Sequence, residues 1–153
     1  MPPSLYEQDF LLWTEATVAQ LKARDFEHLD LENLIEEIDA LGRSQRKELK
    51  SRLLVLLEHL LKRLYVLSPD NYRGWETTIE EQRRQIELEL EDSPSLKNYW
   101  DEAFVTAWRL ALKGVRKSYP AVGFPDAWPF SREIGMVLDC DFWEIEPPRH
   151  EGH

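Results

Sequence analysis

Residues 45–66, QRKELKSRLLVLLEHLLKRLYV, decide the fold. Leu49, Leu53, Leu56, Leu57, Leu60, Leu61 and Leu64 recur at steps of three and four, the period of an α-helix with one wide apolar face. A face that wide predicts the central helix of a bundle, running from Gln45 to about Val66. Glu58, His59, Lys62 and Arg63 interrupt the run, which is too short and too charged to span a bilayer.

The same period extends upstream. Leu31, Leu34, Ile35, Ile38 and Leu41 predict a helix capped by Asp30, with Gly42 as its C-terminal stop and Ser44 as the cap of the next. The alternative is one continuous helix through Gly42, where glycine costs only about 1 kcal/mol. Ser4-Leu5-Tyr6-Glu7 reads as a capping box. It opens a helix from Leu5 to about Ala23, with Tyr6, Phe10, Trp13 and Thr17 on one face.

Downstream, Ser68-Pro69-Asp70-Asn71 is turn chemistry. A helix then runs from Tyr72 or Trp75 to Glu91 on the spacing of Trp75, Ile79, Ile86 and Leu90. Ser93-Pro94 opens the next, from about Ser95 to Lys117, faced by Leu96, Trp100, Ala103, Phe104, Ala107 and Ala111. Beyond Ser118, Pro120, Gly123, Pro125 and Pro129 break up a segment holding Phe124, Trp128 and Phe130, which reads as an arm laid over the bundle. Ser131 can cap a short last helix to Leu138. No stretch alternates at period two for long enough to make a strand. The expectation is an all-α bundle of about five long helices, a short C-terminal helix and a Pro- and Trp-rich arm. It forms one domain over residues 1–143, with residues 144–153 a loose tail.

Composition bounds the function classes. The 153 residues include six Trp and six Phe and are 42% hydrophobic, which excludes wholesale disorder. The net charge of −10 argues against nucleic acid and anionic membranes, since it repels phosphate at long range. Cys140 is the only cysteine, so an internal disulfide and a cysteine-based zinc site are both ruled out. The N-terminal residues lack the basic-then-apolar pattern of a signal peptide. A cytoplasmic location is expected.

The charge is unevenly laid out. Asp25 to Asp39 hold seven acids and no Lys or Arg, whereas Arg43 to Arg63 hold seven basic residues against Glu48 and Glu58. If Gly42 divides them, the two helices are expected to lie antiparallel with opposite charges facing.

The segment DLENLIEEIDALGRSQRKELKSRLLVLLEHLLK, Asp30 to Lys62, resembles the bacterial, largely cyanobacterial family called domain of unknown function 29. YEQDFLLW near the start, Trp75 followed by IEEQRRQI, EDSPSL and FPDAWPFSREI fit in the same order, so the resemblance covers roughly Leu5 to Leu138. It implies an all-helical bundle and brings no catalytic residues to carry over.

Three constellations are candidates for chemistry or binding. Glu32 and Glu36 share a helix face, with Glu37 and Asp39 close by and Glu58 on the following helix. Carboxylates so spaced can hold Mg²⁺ or Mn²⁺, as in helical nucleotide pyrophosphohydrolases, but Ala40 stands where a further acid is expected. Arg52 and His59 lie nearly two turns apart on one face, a spacing that fits the Arg/His motif of the all-α HEPN ribonucleases. There His would move the proton and Arg would stabilise phosphate charge. The bland reading makes His59 a partly buried imidazole bonded to a carboxylate of the preceding helix. Arg43, Arg46, Lys47 and Lys50 form a basic stripe, and Trp128 is an aromatic anchor; both are candidates for a partner surface.

These residues name no substrate. The reading they favour is a non-enzymatic helical module that binds a protein partner or a second copy of itself, with no cofactor. The rival is a phosphoester hydrolase or ribonuclease working through Arg52 and His59 or through a Glu-bound metal.

Overall fold

The computed structural model describes residues 3–145, so the expected tail lies outside the described residues except for Glu144 and Ile145. Among the described residues all regular structure is helical: α1 Leu5–Gln8, α2 Phe10–Lys22, α3 Leu31–Tyr65, α4 Pro69–Asp92, α5 Trp100–Ser118 and α6 Ile134–Asp139. Short 3₁₀ turns cover Pro94–Tyr99 and Phe142–Glu144. The all-α class is as expected. Met1–Gln45 and Arg46–His153 form two compact units.

In the first unit the capping box is half made: the Ser4 hydroxyl accepts from the Glu7 amide at 3.4 Å. The helix expected from Leu5 to Ala23 is two helices. Asp9 leaves helical geometry (φ −151°), and its carboxylate accepts from the Leu12 amide at 3.0 Å, capping α2. A short acidic side chain that can bond the backbone ahead of it favours a cap over a helix interior. At its far end α2 closes on Arg24, held at φ 57°. The Arg24 amide donates to the Leu21 carbonyl at 3.1 Å and the Asp25 amide to Gln20 at 2.9 Å, the paired bonds of a Schellman stop. Trp13 is the one large apolar side chain buried among the described residues of this unit, with the Tyr6 ring edge-on at 5.0 Å and Phe10 stacked at 5.8 Å.

Helix α3 overturns the expected break at Gly42 and, with it, the expected antiparallel pair. The acidic and basic stretches follow each other along one continuous helix. Gly42 alone costs too little to end a helix whose flanking turns carry strong formers. Arg43 also bridges back to Asp39 at 2.5 Å and Glu36 at 3.0 Å, tying the turns on either side of it.

The second unit contains the core. Leu49, Leu53, Leu56, Leu57, Leu60 and Leu61 of α3 are fully buried against Ile79 and Ile86 of α4 and Phe104, Ala107, Ala111 and Val115 of α5. Each such leucine contributes roughly 1.5–3 kcal/mol through burial. Helix α4 starts earlier than the turn reading implied, at Pro69. Proline suits the first helical position, which has no amide partner. Ser93-Pro94 opens a 3₁₀ turn, and α-geometry begins only at Trp100. The arm docks as expected. Phe124 is buried, Trp100 Nε1 donates to the Arg132 carbonyl at 2.8 Å, and Arg116 pairs with Asp126 at 2.7 Å. Helix α6 begins at Ile134 rather than at Ser131, whose hydroxyl accepts from the Glu133 amide one turn earlier.

Candidate functional site

Arg52 sits between two carboxylates. Its Nε donates to Glu89 at 2.7 Å and its Nη2 to Glu48 at 2.8 Å. Burial pushes the Glu89 carboxyl above its ordinary range, whereas the bond from Arg52 holds Glu48 below it. The guanidinium charge is thus already matched inside the fold. His59 Nδ1 donates to the Val55 carbonyl, one turn back in its own helix, at 2.7 Å. The carboxylate partner expected from the preceding helix is absent, because the acidic stretch continues α3 and does not fold back beside it. Burial pushes the imidazole pKa down. Seven residues of helix separate Arg52 from His59 by about 10 Å along the axis. Two surface clefts, one against Arg63, Tyr72 and Trp143 and one against Tyr6, Trp13 and Gln20, are lined by other residues.

The acidic candidates are likewise distributed. Glu36 accepts from Arg43, and Glu37 accepts from the Tyr6 hydroxyl, a bond that raises the Tyr6 pKa. Glu32 is exposed. Glu58 lies on the other stretch of α3 against α5, where a Cβ added to Gly114 would stand 3.1 Å from its Oε1. Among the described residues no group of three or more His, Cys, Asp or Glu is placed to hold a metal ion.

Of the basic stripe, Arg43 is engaged with Glu36 and Asp39. Arg46 lies over the Tyr99 ring at 4.9 Å and donates to its hydroxyl at 3.2 Å. Lys47 is exposed and Lys50 half-buried. Trp128 is the hub of an aromatic cluster: Phe104, Trp108, Phe130 and Phe142 all meet it edge-on, at 5.2 to 6.1 Å. Its Nε1 donates to the Ser131 carbonyl at 3.2 Å.

Sequence reading missed Arg83. Only 6% exposed, it donates to the Val137 and Cys140 carbonyls at the end of α6 and pairs with Asp141 at 3.0 Å. An arginine on the apolar side of α4, between Ile79 and Ile86, was the available signal: a buried guanidinium needs partners that only another element can supply.

The larger omission is surface. Phe10, Leu11, Leu12, Val18, Leu21, Phe26, Leu31, Ile35, Ile38 and Leu41, all within residues 1–45, are exposed. On α3, Leu31 is 57% exposed, Ile35 59%, Ile38 60% and Leu41 69%. Exposed apolar residues scattered singly need no explanation, but a run of them on one helix face does.

Fold and surface together define an all-helical protein with one closed core and a second, smaller unit whose apolar side chains remain largely open. The chain belongs to the family described as "Domain of unknown function DUF29", which matches residues 5–143. Neither a curated protein nor a solved structure matches it. Among the described residues no helix is long and apolar enough to cross a membrane.

Proposed function

We propose that this chain is a non-enzymatic helical association module, which binds a protein partner or a second copy of itself through the open apolar surface of residues 1–45. The observation that carries this reading is the exposure of Leu31, Ile35, Ile38 and Leu41 on one continuous helix. Apolar side chains at that spacing on a surface helix are the anchors by which a helix is gripped by a groove or by another helix. Acids flank them, as expected for a surface kept soluble until it is covered. A bacterial, cytoplasmic setting belongs to the same proposal; its support is the family resemblance and a single cysteine. Within the fold Arg52 is paired with Glu48 and Glu89, and His59 is bonded to its own helix.

The test is capture with the intact protein as bait, comparing wild type with Ile35→Glu/Ile38→Glu. The wild type should retain a defined species, including untagged copies of itself, that the variant loses. Identical captures from both would contradict the assignment to this face.

A further inference from the structure

We infer that the partner of the open face of α3 is a second copy of this chain, paired antiparallel along residues 31–45; this rests on the association reading above. Leu31, Ile35 and Ile38 follow steps of four and three, and Gly42 continues the series by four, so all four lie on one side of the helix. The three large residues are more than half exposed. No atom lies within 4 Å of a Cβ built on Gly42, which leaves room for a second helix to approach closely.

Charge selects the direction. Along one flank of that side, Glu32 and Asp39 come first and Arg43 comes after them, all exposed. In a parallel pair this flank would meet the opposite flank of the partner, where Leu34, Glu37 and Leu41 stand and no Lys or Arg answers Glu32. In an antiparallel pair the same flanks meet head to tail. A dyad near Ile38 then brings Glu32 of each copy beside Arg43 of the other, because the two residues are nearly equidistant from it. The interface is isologous and closes as a dimer. Arg43 gives up little in turning to the partner: its bonds to Glu36 and Asp39 are solvent-exposed pairs, which individually contribute little. The charge complementarity that would have drawn two separate helices together within one chain is set out along a single helix. A second copy of that helix, run in reverse, meets it with opposite charges.

Sedimentation equilibrium of the full chain across a wide concentration range tests the pairing, with hydrophobic-dye fluorescence on the same samples. The expected result is a monomer–dimer equilibrium that Ile38→Glu abolishes. Glu32→Arg and Arg43→Glu should each weaken it by about tenfold or more, and the Glu32→Arg/Arg43→Glu double variant should recover much of the loss. In a Cys140→Ser background, Ile38→Cys should cross-link to itself under mild oxidation. A wild-type monomer at every concentration that binds dye, with Ile38→Glu losing the signal, would overturn self-pairing and leave the face open to another protein. A monomer that binds no dye would overturn both the pairing and the association reading. Additive losses in the double variant would overturn the antiparallel arrangement.

Discussion

Two stretches of the same helix carry the same pattern and meet opposite fates. Leu31, Ile35 and Ile38 are spaced four and three; Leu49, Leu53, Leu56 and Leu60 are spaced four, three and four. The first set is 57–60% exposed, whereas the second is 0% exposed. The period sets the side of a helix that is apolar and says nothing about what covers it. Cover comes from elsewhere in the chain. For the second stretch α4, α5 and the arm supply Ile79, Ile86, Phe104, Ala107 and Phe124, and no described residue within 1–45 supplies the equivalent for the first. One stretch is complete as a core, and the other is built as a surface.

The largest effect that can break this contrast is on stability. Leu56→Ala should cost about 3 kcal/mol, because the closed core cannot collapse around the missing atoms. Ile38→Ala, at the same helical register but exposed, should stay within about 0.5 kcal/mol when measured below the association concentration. Urea unfolding of both variants would show this, and equal losses would mean that the first stretch is buried after all.

Next in size is Arg83→Ala. It strips the Val137 and Cys140 carbonyls and Asp141 of their donor and should cost roughly 2–3 kcal/mol, since charged hydrogen bonds are lost in a buried setting. The loss should localise to the second unit. Faster amide exchange in α6, with α2 unchanged, would show the two units responding separately.

A smaller effect is pH dependence. Burial lowers the His59 pKa, so the folded state binds its proton less readily than the unfolded chain does. The group therefore destabilises the fold as pH falls below its unfolded value of 6.5 towards its depressed folded one. His59→Gln should flatten the fall in urea midpoint between neutral pH and about pH 5.5, compared with wild type. An unchanged slope would mean that His59 is freely solvated.

The smallest effect lies where the two stretches join. Gly42→Ala meets open space in the monomer and removes a flexible residue from a helix interior, so it should stabilise by about 0.5–1 kcal/mol in dilute solution. A loss would show that the helix needs flexibility at Gly42.

Much of the architecture was legible because it is local. The Leu49–Leu64 face, the Pro94 boundary, the docking of Phe124 and the all-α class all rest on period, capping and proline geometry. The illegible features depended on competition between elements. Asp9 splits the first helix because its side chain can cap the Phe10–Lys22 segment. Gly42 fails to split the third because its cost is small beside the helix on either side. The Arg83 clamp and the Tyr99 seat under Arg46 join residues more than fifty apart, a separation that no pattern in the sequence marks. As for the site, Glu36, Arg52 and His59 were singled out for their chemistry, yet each is bonded within the fold. Leu31, Ile35 and Ile38 mark a helix face in the sequence, but periodicity cannot tell a covered face from one awaiting cover.

Hydrogen exchange of the full chain at two concentrations tests the contrast most directly. Amides of Leu49 to Leu61 should be strongly protected at both, and those of Leu31 to Gln45 should gain protection only at the higher. Equal protection of the two stretches at every concentration would contradict the claim that one is complete within the chain and the other is completed by a partner.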